Sequence, residues 1–114
     1  MTVNDIKEKL NLTVYAGAAG LNREVTGGYV SDLLSDVMGH SSEGQIWITL
    51  QTHKNIIAIA SLKELAGIIL VQGFEPDADT QKQAEDEQIP ILGTHLSTFE
   101  ISGKLYNLLH KCCE

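Results

Sequence analysis

Positive charge is scarce here. Eight Lys and Arg stand against 15 Asp and Glu in 114 residues, a formal net charge of −7. Sequence-independent binding to DNA, RNA or an anionic membrane needs a basic face that so few cations cannot easily supply, so nucleic acid and membrane drop out as partners. Cysteine is scarcer still. Cys112 and Cys113 are adjacent at the end of the chain, which suits neither a disulfide framework nor a CxxC metal or redox site. They read as tail thiols, able at most to link two copies under oxidising conditions. No apolar run reaches the roughly 18 residues of a membrane helix, and MTVNDIKEKL lacks the basic start and apolar core of a signal peptide. The expected location is therefore the cytoplasm. With aromatics at 5%, the core must be aliphatic.

What is present is ordinary for a globular protein: 43% hydrophobic, 20% charged. The length suits one domain, residues 1–114, with a single core and little room for a second unit. Thr2 with Asp5 reads as a capping pair before a short amphipathic helix over 2–11. Residues 12–16 alternate as a strand, and Gly17 to Gly20 form a small-residue loop. A second strand over 25–30 is interrupted by a glycine pair, and a helical turn or two over 32–38 ends before Gly39.

From Gln45 the pattern sharpens. Ile46, Ile48 and Leu50 alternate with Trp47 and Thr49 as a strand, and Thr52 is placed to cap a helix over 53–65. GIILV, residues 67–71, is the continuous apolar run of a strand buried on both faces of a parallel sheet. A polar helix follows, capped by Asp77 or Asp79 and running to about Gln88, with DADTQKQAEDE as its solvated face. Residues 89–93 form another strand with Pro90 at its start, and Ser97 with Glu100 form a capping box before a C-terminal amphipathic helix. The order β-α-β-α-β-α predicts an α/β domain with an at least partly parallel sheet flanked by helices.

In such sheets ligands gather beyond the carboxyl ends of the strands, near free helix N–H groups. Those positions here are Ser31 and Asp32, Thr52 and His53, Gln72 and Gly73, and Thr94 and His95. With Arg23 and Thr26 placed nearby, they form a candidate rim for a small anion or nucleotide. The plainer reading is that Thr52 and Ser97 only cap helices and the histidines lie in exposed loops. Gly27 and Gly28 admit close approach of a ligand or a second chain, or merely a strand bend.

Catalytic patterns are missing. His40, His53, His95 and His110 share no HxxxH or HxH spacing, Ser31 is in no GxSxG elbow, and no GxxxxGK[ST] loop exists. Neither a metal nor a cofactor is expected, and a nucleotide would be bound rather than used as a phosphoryl donor.

The stretch NREVTGGYVSDLLSDVM, residues 22–38, resembles the DRTGG domain, named for its Asp, Arg, Thr, Gly and Gly positions. Arg23, Thr26, Gly27 and Gly28 match, and Asn22 stands where the family has Asp. That change removes a charge but keeps an acceptor oxygen, so a turn-capping role carries over and a salt-bridge or metal role does not. The likeness extends through GIILV and IPILGT. It implies a fold similar to the N-terminal domain of HPr kinase/phosphorylase, without that enzyme's kinase domain. DRTGG domains occur beside phosphate acetyltransferase domains and between CBS domains of regulated pyrophosphatases. The implied function is a non-catalytic regulatory or ligand-sensing module that self-associates as a homodimer and binds a nucleotide or other phosphate-bearing molecule. The alternative is an interaction or scaffold subunit of a partner enzyme, with no small-molecule site.

Overall fold

Thr2 and Asp5 close the first helix reciprocally. The Asp5 carboxylate accepts from the Thr2 N–H at 2.9 Å, and the Thr2 hydroxyl accepts from the Asp5 N–H at 3.2 Å. The computed structural model describes residues 1–110; Cys112 and Cys113 lie outside the described residues. Helix α1 (Val3–Leu10) leads through Asn11, in the left-handed region at φ 55°, into strand β1 (Thr13–Ala16). A 3-10 turn (Ala18–Gly20) precedes β2 (Gly27–Val30), α2 (Leu34–His40) and β3 (Gln45–Thr49). Then come α3 (Asn55–Leu62), β4 (Gly67–Leu70), α4 (Ala78–Glu87), β5 (Ile91–Gly93) and α5 (Thr98–His110).

The sheet order is β1-β5-β4-β3-β2, parallel throughout except that β1 runs antiparallel to β5. The crossovers through α2, α3 and α4 each step one strand in the same direction, and a shared right-handed sense puts all three helices on one face. There Val37, Ile56, Ile57, Ala60 and Ala84 pack with Trp47, Ile68, Leu70 and Ile91. On the other face Val3 and Ile6 of α1 and Ile101 and Leu105 of α5 meet Ile46, Ile48, Ile69 and Leu92. Strand alternation thus feeds two aliphatic cores. Each fully buried Ile or Leu contributes about 1.5–3 kcal/mol, so one buried tryptophan suffices.

Several boundaries differ from the pattern-based expectation. The glycine pair opens β2 rather than breaking it, and neither glycine has a positive φ. Helix α2 starts two residues late and runs through Gly39, where an added Cβ would meet nothing. Thr52 does not cap α3: Lys54 holds that position without a side-chain hydrogen bond. Asp77 does precede α4, but its carboxylate caps no N–H of that helix. The Ser97 and Glu100 capping box forms as expected, at 3.3 and 3.2 Å.

Because β1 is antiparallel, its end lies where the other strands begin. The chain must then cross the whole sheet to reach β2. Residues 17–26 do so as a strap along the amino edge of the parallel strands. Gly17, at φ 73°, passes so close to Ile89 that a Cβ would sit 2.0 Å from its carbonyl oxygen, and at Gly20 a Cβ would lie 2.1 Å from the Gln88 carbonyl oxygen. The N-terminal segment binds the strap in turn: Val3 N–H donates to Arg23 O at 3.0 Å and Val25 N–H to Met1 O at 2.9 Å.

Candidate ligand-binding site

The twelve candidate residues fall at two opposite edges of the sheet. Arg23, Thr26 and the glycine pair belong to the amino edge; the eight strand-exit residues belong to the carboxyl edge. The four residues of β2 alone separate the edges by roughly 13 Å. Arg23 and Thr26 are therefore not neighbours of the exit rim, contrary to the expectation that they help build it.

At the amino edge the signature residues act as fasteners. Arg23 donates to the carbonyls of Leu65, at 3.4 Å, and Gln88, at 3.1 Å, which lie just before β4 and β5. Its planar fork serves two chain segments at once. The Thr26 hydroxyl donates to Glu43 O at 2.9 Å and its N–H to Gly44 O at 2.9 Å. Gly44 is at φ 83°, and an added Cβ would come within 2.7 Å of the Thr26 side chain. Gly28 lets α5 settle on β2, since its missing Cβ would lie 3.2 Å from Leu105. Gly27 has no close neighbour, with Gln45 atoms no nearer than 3.9 Å. Asn22 is exposed and makes no side-chain hydrogen bond among the described residues, so the turn-capping role expected for it is not met.

At the carboxyl edge most exits are tied to each other. The Asp32 carboxylate accepts from the Thr49 hydroxyl at 2.7 Å and the Leu50 N–H at 2.8 Å, while Ser31 O accepts the Trp47 indole N–H at 2.8 Å. Thr52 contributes its carbonyl, which accepts from Asp77 N–H at 3.1 Å and the buried Thr80 hydroxyl at 2.8 Å. His53 Nδ1 lies 2.8 Å from Asp77 Oδ2, which explains why Asp77 leaves the α4 cap unmade. Gln72 and Gly73 donate to Leu96 O and Thr94 O, each at 2.9 Å. These bonds latch loop to loop, and the backbone N–H groups involved have no capacity left for a ligand.

At the β5 exit the rim lines a groove. There a cavity of about 460 Å³ is bounded by Thr94 and His95 together with Lys9, Asn11 and Lys104. The sequence reading singles out none of Lys9, Asn11 and Lys104 as site residues. Lys9 and Asn11 meet the β5 exit because β1 folds back beside β5, a pairing that no local pattern announces, while Lys104 comes from α5, the helix that follows β5.

One titratable cluster stands near the first exit. The Tyr29 hydroxyl donates to Asp36 Oδ2 at 2.9 Å, and His40 Nδ1 lies 3.1 Å from Asp36 Oδ1. The Tyr29 hydrogen bond, with help from Ser31 and His40, holds the Asp36 carboxyl below the usual carboxylate range. The same bond raises the Tyr29 phenol, aided by desolvation.

A family model described as the DRTGG domain matches residues 5–108. No curated protein matches the chain. Among solved structures, the chain is similar to the crystal structure of the CBS and DRTGG domains of the regulatory region of Clostridium perfringens pyrophosphatase, complexed with activator, diadenosine tetraphosphate. The TM-score is 0.69 at 17% identity, with 91% of this chain covered. The chain spans 45% of that structure's length. At that identity the likeness shows the fold, a five-stranded, mostly parallel sheet flanked by helices.

Proposed function

Because this chain belongs to the DRTGG domain family, we propose that it is a regulatory module which recognises a nucleotide or other phosphate-bearing small molecule without transforming it. The observation carrying this reading is the groove at Thr94 and His95, where the exit rim lines a cavity, while loop-to-loop hydrogen bonds latch the other exits. Its volume falls in the range of small-molecule sites. The shared fold with a regulatory region solved with a dinucleotide activator supports the same direction. A purely catalytic reading has less to stand on: His53 has an acid beside it, but that pair is largely exposed, at 72% and 44%.

The test is thermal denaturation against adenine nucleotides. At a hundred times its dissociation constant a ligand adds about 2.7 kcal/mol, so a clear rise in melting temperature is expected. No rise with any nucleotide or phosphate compound would overturn the ligand-sensing reading.

We also propose that the module works as a homodimer joined along the β2 edge. That strand, GGYV, carries neither the lysine nor the proline that commonly guards an open edge. Beside it Val30 is 48% and Tyr106 64% exposed, flanking a shallow apolar hollow over Gly28, Leu105 and Leu109. The buried Ser102 hydroxyl next to that hollow has no hydrogen-bond partner among the described residues.

The scaffold reading keeps one observation of its own. A groove of about 560 Å³ between α3 and α4, flanked by Leu62 at 68% exposure, offers a partner an apolar foothold.

A further inference from the structure

We propose that Lys9, Lys104 and His95 form a phosphate-binding subsite within the β5-exit groove, taking a di- or triphosphate group either from a nucleotide or as free polyphosphate. This inference rests on the ligand-sensing reading above and gives it a location and a charge.

The three groups come from three elements: the last turn of α1, the second turn of α5 and the loop after β5. All of them line the same cavity. In a chain of net charge −7, none of the described carboxylates does so. Lys7, two residues from Lys9, has its ammonium 2.8 Å from Glu8. Lys9 and Lys104 enter no ion pair within 4.0 Å among the described residues, although the Asp5 carboxylate one turn earlier feels the Lys9 charge. A helix C-terminus also favours a cation such as Lys9, which is a structural role any test must separate.

The remaining lining fits a phosphate ester. The imidazole of His95 rests on Gly73, which is at φ 77° and whose absent Cβ would lie 2.8 Å from Nδ1. The ring thus occupies space that any other residue at 73 would contest. The Thr94 oxygen accepts from Leu96 N–H at 3.2 Å, leaving its O–H to donate outward. Asn11 brings an amide, and Leu10 and Leu96 an apolar side on which a base could lie. Two ammonium groups with an imidazole match a multiply charged phosphate better than a single carboxylate, and lysine binds phosphate as a point charge.

Isothermal titration of the full chain with ADP, with pyrophosphate and with inorganic phosphate tests this. Saturable binding of ADP or pyrophosphate is expected, weakened about tenfold or more in Lys9→Ala/Lys104→Ala through the loss of two charge-assisted contacts. Lys9→Arg/Lys104→Arg should retain affinity, and Lys54→Ala/Lys82→Ala, on exposed positions elsewhere, should behave as wild type. Binding of ADP alone supports the subsite with a nucleotide as source; binding of pyrophosphate supports it with free polyphosphate as well. If Lys9→Ala/Lys104→Ala, folded by circular dichroism, binds ADP as wild type does, the subsite is overturned while ligand sensing stands. If wild type binds neither ADP nor pyrophosphate, the subsite is overturned, and ligand sensing falls with it only if the thermal screen of other phosphate compounds is flat as well.

Discussion

Arg23 shows how a family signature can be legible and its role still misread. Its guanidinium suggests an anion, yet it faces the carbonyls of Leu65 and Gln88 and holds the strap to the sheet. The sequence offers no way to see this, because both acceptors are backbone atoms more than 40 residues away. Arg23→Ala should lower stability by about 2 kcal/mol in urea denaturation, the worth of charged hydrogen bonds to partly buried carbonyls. An unchanged midpoint would remove the fastening role. Tyr29 and Asp36 allow a pH test. Asp36 is depressed in the folded state, so its contribution is present above the unfolded carboxylate value and is lost as pH falls below about 4. Tyr29 is raised, so its contribution is complete below about pH 10 and is lost as pH rises through the folded value. The stability gap between wild type and Tyr29→Phe should therefore be widest at neutral pH and narrow at both extremes. A gap that does not change with pH would contradict the bond.

Elements built from strong apolar patterns are where sequence reading succeeds. GIIL is a fully buried β4, QIWIT is β3, and Ser97 with Glu100 caps α5. It fails where a turn residue has a stronger tertiary partner. Asp77 gives its carboxylate to His53 and so caps no N–H of α4, while Thr52 is held through its carbonyl by Asp77 and Thr80, and α3 begins later, with Lys54 at the cap position. Glycines divide the same way. Gly17 and Gly27 look alike in the sequence, but only Gly17 combines a positive φ with backbone contact. Gly17→Ala should cost more than about 2 kcal/mol, while Gly27→Ala should be neutral or add about 0.4–1 kcal/mol by restricting the unfolded chain. Thermal melts of the two variants decide it, and equal effects would show that the strap is looser than described.

On the scale of the whole molecule, the aliphatic composition carries through, but as two cores on either side of one sheet where a single core was expected; the β-α alternation carries through to the parallel strands. The one antiparallel strand, β1, is not foreseen, and it decides the most. It sends residues 17–26 across the amino edge and brings α1 against the β5 exit. Fastening is thereby assigned to one edge of the sheet and the proposed recognition to the other. The proposed self-association belongs to this scale too. Sedimentation should find a dimer, and Val30→Lys/Tyr106→Lys should shift it to monomer with the fold intact; a monomer at every working concentration would exclude the β2-edge pairing.

The most direct measurement is amide chemical-shift mapping of the full chain during titration with ADP. Shifts concentrated at Lys9, Asn11, Thr94, His95 and Lys104, with Arg23, Thr26 and Gly44 unmoved, are the expected result. Shifts centred on Arg23 and Thr26 instead would contradict the separation of the two edges and return the signature to ligand binding.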